Sequence, residues 1–280
     1  MIIRCWGARG SIPVSGPAYV RYGGDTTCLE LRTDRSDEVV VVDAGSGIRR
    51  LANALMAEGR LEFTFLFTHS HWDHILGFPF FKPIYLEKAR LNIHGCPDLQ
   101  GDMETLLART MDQPYFPVPY EVVRARLDYR RDCSSELDVD GMTVRSIPLN
   151  HPNRGRGFRF EEGGRSFVFL TDNELDHDHR GGKSFEEYVA FCRGADLLFH
   201  DAEYTPEEYP AKAGWGHSTF LRALDLALEA GVGRFGLFHH NQDRPDAEID
   251  VMMERCREVV AERGSKLECF AVTQETEIRL

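Results

Sequence analysis

The sequence of 280 residues contains no run of about 18 apolar residues, so we expect no segment that spans a membrane. It has no internal repeat, low-complexity tract or Pro/Gly/Ser-rich linker, which favours one domain over residues 1–280. The first residues lack a charged stretch followed by an apolar one. We therefore expect no secretion signal and a cytoplasmic location.

Cysteine is scarce, and its spacing indicates neither a disulfide framework nor a thiolate metal site. The number of cysteines is odd, and none forms a C-x-x-C pair. They lie at positions 5, 28, 96, 133, 192, 256 and 269. We expect reduced, mostly buried thiols, as in a cytoplasmic protein.

Basic residues are outnumbered, with 33 Lys and Arg against 45 Asp and Glu and a net charge of −12. Such a surface repels phosphate backbones, which argues against a nucleic-acid partner. The glycines at 7–10 and at 23–24 are not followed by GK[ST] or G-x-G-x-x-G, so we expect turns there and not phosphate-binding loops. The 42% hydrophobic content is that of an ordinary globular protein.

Short apolar runs alternate with amphipathic segments along the whole chain. Residues 39–45 and 63–69 are continuous apolar runs that end in a polar turn, as strands covered on both faces do. Further strands are predicted at 2–6, 27–33, 91–94, 142–149, 156–160, 166–171, 196–200, 235–239 and 268–272. Helices are predicted at 47–58, 98–110, 185–193, 218–230 and 246–263. The pattern favours a layered protein with helices outside two packed sheets.

Side chains that can bind a metal are concentrated at the end of the predicted strand 63–69, in the segment His69-Ser70-His71-Trp72-Asp73-His74. Three imidazoles and a carboxylate in six positions are costly to bury unless something pairs with them. These donors suit zinc, manganese or iron. Because side chains alternate along a strand, His69 and His71 should project to the same side. The segment therefore predicts a metal site.

This segment resembles the H-x-H-x-D-H signature of the metallo-β-lactamase superfamily, and more narrowly its ribonuclease Z and cyclic-nucleotide phosphodiesterase branch. The resemblance extends to Asp43 in VVDAGSG, His151 in PLNHP, Asp172 in FLTDNE and His239 in LFHH. It implies an α+β fold, an αββα four-layer sandwich of two mixed sheets with helices outside. It also implies two divalent metal ions, zinc foremost, with manganese and iron as alternatives.

The resemblance assigns ligands to each ion. One ion takes His69, His71 and His151, the other takes Asp73, His74 and His239, and Asp172 lies between them. Asp43 orients the metal-binding loop behind the ligands. Strand alternation points one of His239 and His240 inward, and the alignment with the family favours His239.

A second pair of motifs, His200-Asp201-Ala202 and Gly216-His217-Ser218-Thr219, resembles the paired loops of ribonuclease Z. There an acidic residue positions a histidine near the scissile phosphate. We therefore assign catalytic roles to His217 as proton donor and to Asp201 behind it, with Asp73 as the third catalytic residue. The alternative is that this segment only caps the following helix.

Two further segments have a structural and a functional interpretation. Residues 111–120 combine three prolines with aromatic residues and form either an apolar loop on the core or a lid in which Tyr115 or Phe116 touches substrate. The acidic residues at 172–178 lack the glycine and the closing glutamate of a calcium loop. We expect that stretch to be solvated.

The function expected from this resemblance is hydrolysis of a small or cyclic phosphodiester through a metal-bound hydroxide. Precursor tRNA is an alternative substrate, against which stand the acidic charge and the lack of a basic protruding arm. An acyl hydrolase (a lactonase, thioesterase or β-lactamase) on the same fold is a second alternative. A non-catalytic metal carrier is a third, and the open ligand set argues against it. The oligomeric state stays open, a homodimer included.

Overall fold

The computed structural model describes residues 1–33, 35, 38–97, 101–131 and 133–280. In this part of the chain, fourteen strands form two sheets of seven. The strands are β1 Ile2–Gly7, β2 Cys28–Arg32, β3 Val39–Val42, β4 Glu62–Leu66, β5 Arg90–His94, β6 Arg126–Arg130, β7 Glu136–Val139, β8 Met142–Pro148, β9 Arg156–Glu162, β10 Arg165–Leu170, β11 Leu197–Asp201, β12 Arg234–Phe238, β13 Glu268–Ala271 and β14 Glu277–Arg279.

The helices lie between these strands. They are α1 Ile48–Glu58, α2 Trp72–Ile75, α3 Met103–Arg109, α4 Phe185–Cys192, α5 Phe220–Ala230 and α6 Asp246–Glu262. Short 3₁₀ turns occur at Pro17–Tyr19, Phe78–Phe80, Lys82–Tyr85, Tyr120–Val122 and Tyr209–Ala211. No helix in the described ranges has both the length and the apolar character needed to cross a bilayer.

Both sheets are mixed. The first has the order β14-β1-β2-β3-β4-β5-β6 and the second β13-β12-β11-β10-β9-β8-β7. Strands β3 to β6 run parallel to one another, and so do β10 to β13. The remaining neighbours are antiparallel. The predicted αββα sandwich of two mixed sheets is thus confirmed.

Alternation along the strands creates three apolar layers. In β3, Val40 and Val42 face the second sheet, whereas Val39 and Val41 pack with Leu51 of α1. On the far side, the second sheet packs against α4, α5 and α6 through a third cluster. Strands covered on both faces explain why the sequence showed continuous apolar runs here.

The predicted strands and helices are all found, with ends that differ by a few residues. Strands β6, β7 and β14 and the one-turn helix α2 were not predicted. The predicted helix 98–110 appears as Met103–Arg109, and its residues 98–100 lie outside the described residues. Helix α5 begins at Phe220 with Thr219 as its cap, whose side chain accepts a hydrogen bond from the Arg222 backbone N–H at 3.1 Å.

The prediction of reduced cysteines is wrong for one pair, since Cys96 and Cys133 form a disulfide. Cys96 follows β5, and Cys133 follows β6, its parallel neighbour. The carboxyl ends of adjacent parallel strands lie side by side, which brings the two Cα atoms to 4.6 Å. The other five cysteines are free, and four of them are buried.

Candidate metal centre

The candidate site lies where the carboxyl ends of strands from both sheets meet. Asp43 follows β3, and the segment 69–74 follows β4. From the second sheet, His151, Asp172 and His239 follow β8, β10 and β12. Ends of neighbouring parallel strands leave a crevice at the sheet edge, a common place for ligand sites. The fold therefore converts motifs scattered over nearly 200 positions into one cluster.

Seven side chains converge in two sets that share Asp172. In each set, one ligand atom per residue lies within 4.8 Å of the others. The first set is His69, His71, His151 and Asp172, and the second is Asp73, His74, Asp172 and His239. All except the half-buried His71 are buried. The structure thus brings together every side chain that the sequence predicts as a ligand.

Asp172 is the centre of the cluster. One of its carboxylate oxygens lies 3.6 Å from His69 Nε2 and 3.3 Å from His239 Nε2. The other lies 3.2 Å from His74 Nε2. Burial raises the pKa of Asp172, but the charges of His239 and His74 outweigh it and hold the pKa well below its usual range. Asp172 is therefore a carboxylate that faces both sets.

The donor set fits metal ions. The Nε2 atoms of His69 and His74 are buried and make no hydrogen bond with the described residues. Burial lowers the pKa of the His69 ring well below its ordinary value and that of His151 to about 3. At His69 and His151 the neutral imidazole is therefore favoured, which is the form that binds metal through its lone pair. Tetrahedral bonds of about 2.1 Å place two ligands roughly 3.4 Å apart, close to the spacings around Asp172.

Hydrogen bonds behind the ligands fix their orientation. His74 Nδ1 lies 2.8 Å from Asp43 Oδ2, which leaves His74 Nε2 to face the cluster. Asp43 also accepts from the backbone N–H and the hydroxyl of Thr68, both at 2.7 Å. His151 Nδ1 donates to the Gly216 carbonyl at 2.9 Å. Carboxylates and carbonyls behind histidine ligands set the tautomer, so these contacts prepare the rings for a metal.

The two candidates at positions 239 and 240 point in opposite directions. His239 Nε2 lies 3.3 Å from Asp73 Oδ2, inside the cluster. His240 Nε2 instead donates to the Val272 carbonyl at 2.8 Å, away from the site. Of the two, His239 is the one in position to bind an ion.

His217 and Asp201 lie beside the cluster. His217 Nδ1 is 2.7 Å from Asp201 Oδ2, and the His217 ring stacks on the His239 ring with centroids 4.7 Å apart. Burial lowers the pKa of His217, but the charges of Glu203 and Asp201 and the hydrogen bond to Asp201 outweigh it and raise the pKa to about 9. The His217 ring is thus held by Asp201 and lies against the His239 ring at the edge of the cluster.

The expectation that the acidic stretch 172–178 is solvated is wrong for Glu174, as it is for Asp172. Asp176 and Asp178 are exposed, but Glu174 is buried. Its carboxylate accepts hydrogen bonds from the backbone N–H groups of Gly214 and Gly216 at 2.7 Å. The hydroxyl of Tyr209 and His179 Nε2 also contact it, at 2.7 and 2.8 Å. Glu174 thus anchors the loop that carries His217.

Gly216 is a position where a side chain cannot be tolerated. Its φ is +96°, and a Cβ there would lie 2.0 Å from His151 Nδ1. We expect Gly216→Ala to displace His151, to weaken metal binding and to destabilise the fold, measured as metal content and Tm. Gly214→Ala is the matched control, because Gly214 has a φ of +86° and a Cβ there meets nothing closer than 3.7 Å. Equal metal binding in the two variants would contradict this account.

The segment 111–120 does not pack on the core as a whole. Met111 is buried, whereas Tyr115 is 87% exposed. Phe116 is half-buried and contacts Phe80 edge to face, with ring centroids 5.6 Å apart. The interpretation as an apolar loop packed on the core therefore fails for most of the segment, and the lid stays a prediction.

Two mixed sheets between helices, with a double His/Asp cluster at their joined ends, define a metal-dependent hydrolase of the metallo-β-lactamase fold. Residues 38–240 match the family model described as Beta-lactamase superfamily domain. The chain belongs to this family, which confirms the predicted superfamily. The fold implies a site for two metal ions, and the residues present fit it.

Known proteins resemble the chain over most of its length. Ribonuclease Z of Haloferax volcanii is 28% identical, with 84% of this chain and 87% of that protein covered. The metallo-beta-lactamase fold protein YhfI from Bacillus subtilis is 18% identical, with a TM-score of 0.71 over 99% of this chain and 98% of that one. The short form of human tRNase Z is 19% identical, with a TM-score of 0.67 over 100% and 99% of the two chains.

Proposed function

We propose that the chain is a phosphodiesterase that hydrolyses small or cyclic phosphodiesters with two divalent metal ions, zinc foremost. The observation that carries the proposal is the His217–Asp201 pair beside the double cluster. Displacement at phosphorus expels an alkoxide, which needs a proton from a positioned acid. His217, with Nδ1 held 2.7 Å from Asp201, is placed to donate that proton through Nε2.

The proposed ligands for one ion are His69, His71 and His151, and those for the other are Asp73, His74 and His239, with Asp172 between the two sets. When bound, two such ions lower the pKa of a shared water and neutralise charge on the phosphoryl oxygens. The protein orients the ligands from behind. Asp43 fixes His74, and the Ser11 backbone N–H fixes Asp73 Oδ2 at 2.9 Å.

We also infer that residues 1–280 work as one hydrolase domain, because β1 and β14 pair in the same sheet. Tyr115 and Phe116 remain the proposed lid. The exposure of Tyr115 and the contact of Phe116 with Phe80, which follows the ligand segment, are compatible with that role.

The second candidate function is processing of precursor tRNA, and the relatives named ribonuclease Z favour it. The surface charge opposes it. Arg131 forms ion pairs with Asp102 and Glu104, both at 2.5 Å, and Arg126 pairs with Asp128 at 2.9 Å. These arginines are occupied by acidic neighbours instead of being presented to a phosphate backbone. With a net charge of −12, binding of a long polyanion is disfavoured.

The deciding experiment uses metal-free protein reloaded with zinc or manganese. We expect hydrolysis of bis(p-nitrophenyl) phosphate and of a cyclic nucleotide to return as about two ions bind per chain. Precursor tRNA, nitrocefin and a thioester are assayed in parallel. Cleavage of tRNA at far higher kcat/KM would favour the second candidate, and turnover of the acyl substrates alone would refute the proposal.

A further inference from the structure

Glu203 is a buried carboxylate that the sequence did not single out. It lies two residues after Asp201, just beyond the end of β11, and is 3% exposed. The backbone N–H and the carbonyl of Glu203 are both hydrogen-bonded. Its backbone N–H donates to Asp201 Oδ1 at 3.0 Å, and its carbonyl accepts from Arg244 at 3.2 Å. Its side chain therefore has a defined direction.

The Glu203 carboxylate lies close to both His239 and His217. Oε2 lies 2.8 Å from His239 Nδ1 and 3.6 Å from His217 Nδ1. Oε1 accepts from the Asn241 side chain at 3.0 Å. Because Nδ1 of His239 is bonded to Glu203, its Nε2 is left to face Asp73 and Asp172, each at 3.3 Å. A single oxygen thus lies between a candidate ligand and the candidate acid.

Burial of the Glu203 carboxylate costs free energy of folding. A buried charge needs partners to offset the loss of hydration. In the described ranges, the ion-pair partners of Glu203 within 4.0 Å are His217 and His239 alone. The nearby Arg244 directs its side chain to the Glu203 backbone carbonyl and to Glu208 and Glu248. The negative charge is therefore directed at the two imidazoles and not at a structural arginine.

We propose that Glu203 is a positioning residue shared by the metal site and the proton donor. It holds His239 with Nε2 toward the ions, and it keeps the His217 ring stacked beside it and against Asp201. The His217 part of this inference rests on the function proposed above, whereas the His239 part does not.

The test compares Glu203→Gln with Glu207→Gln, which makes the same change at an exposed position four residues away. Zinc is titrated into the metal-free proteins against a chelating dye. We expect Glu203→Gln to bind the weaker of two zinc ions 10- to 100-fold less tightly, the usual effect of losing a partner behind a histidine ligand. Glu207→Gln should match the wild type. Wild-type zinc affinity in Glu203→Gln would overturn the proposal.

The second readout is kcat at saturating zinc for phosphodiesters with p-nitrophenolate or alkoxide leaving groups. We expect Glu203→Gln to slow the alkoxide substrates more, because His217 is no longer held. Weaker zinc binding with an unchanged dependence on leaving group would overturn the shared role. If Glu203→Gln does not fold, Glu203→Asp, which keeps the charge but retracts it, should show both effects in weaker form, and wild-type behaviour there would overturn the proposal.

The zinc titration needs no turnover, which separates the two proposals. A wild-type enzyme that hydrolyses no phosphodiester would refute the proposed function and, with it, the His217 part. The zinc affinities of the Glu203 variants would still decide whether this carboxylate positions His239.

Discussion

Asp172→Asn is expected to abolish binding of the two metal ions together and to lower phosphodiester turnover by at least about 1,000-fold. The reason is that both ligand sets share this one carboxylate. Its two oxygens lie 3.2 to 3.8 Å from four different imidazoles. Asparagine keeps the shape but removes the charge and leaves only one oxygen. Two cations a few ångströms apart would then repel each other without an anion between them.

The measurement is metal content per chain by mass spectrometry, together with kcat/KM on bis(p-nitrophenyl) phosphate. Asp178→Asn is the matched control, since Asp178 is exposed and lies six residues further along the same segment. It should retain two ions and wild-type turnover. A fully active Asp172→Asn variant would show that the bridging assignment is wrong.

The ligand cluster could be predicted because the segment 69–74 and the later motifs at His151, Asp172 and His239 occur in the order of the family that the chain resembles. Each of these motifs follows an apolar strand. In a layered fold, side chains after neighbouring strands meet at one edge, which is why the structure brings them together. The direction of His239 and His240 was harder, and packing of His240 toward Val272 resolves it.

Features that depend on contacts between distant segments could not be read from the sequence. The Cys96–Cys133 disulfide requires β5 and β6 to be neighbours, and β6 was not predicted because three of its five residues are charged. Glu174 was assigned to a solvated stretch, since charge runs usually face water. Its burial follows from the hydrogen bonds that the loop 214–216 donates from 40 residues away.

The position of Glu203 could have been inferred from the sequence in part. It lies two positions after Asp201 at a strand end, and a period of two places both side chains on the same side of the strand. That spacing was a usable signal. What the sequence lacked was the position of the His239 and His217 rings between which the carboxylate lies.

His217→Ala is the second change with a large expected effect, and its signature is a dependence on the leaving group. Both metal ions should stay bound, because the His217 side chain belongs to neither ligand set around Asp172. Turnover of substrates that expel an alkoxide should fall by about 100- to 10,000-fold, the usual contribution of a positioned acid. Substrates that expel p-nitrophenolate should be slowed much less, because that anion leaves without a proton.

Asp201→Asn should reproduce this pattern in weaker form, since it removes the charge that holds His217 Nδ1 at 2.7 Å but leaves the ring in place. His177→Ala serves as the control, as His177 is exposed and lies outside both ligand sets. The measurement is kcat for a series of diesters with leaving groups of increasing pKa, at saturating metal.

A steeper dependence of kcat on the leaving-group pKa in the His217 and Asp201 variants than in the wild type identifies proton donation. A uniform loss across the series would instead assign His217 to stabilising charge on the phosphoryl group, because that contribution does not depend on which oxygen departs.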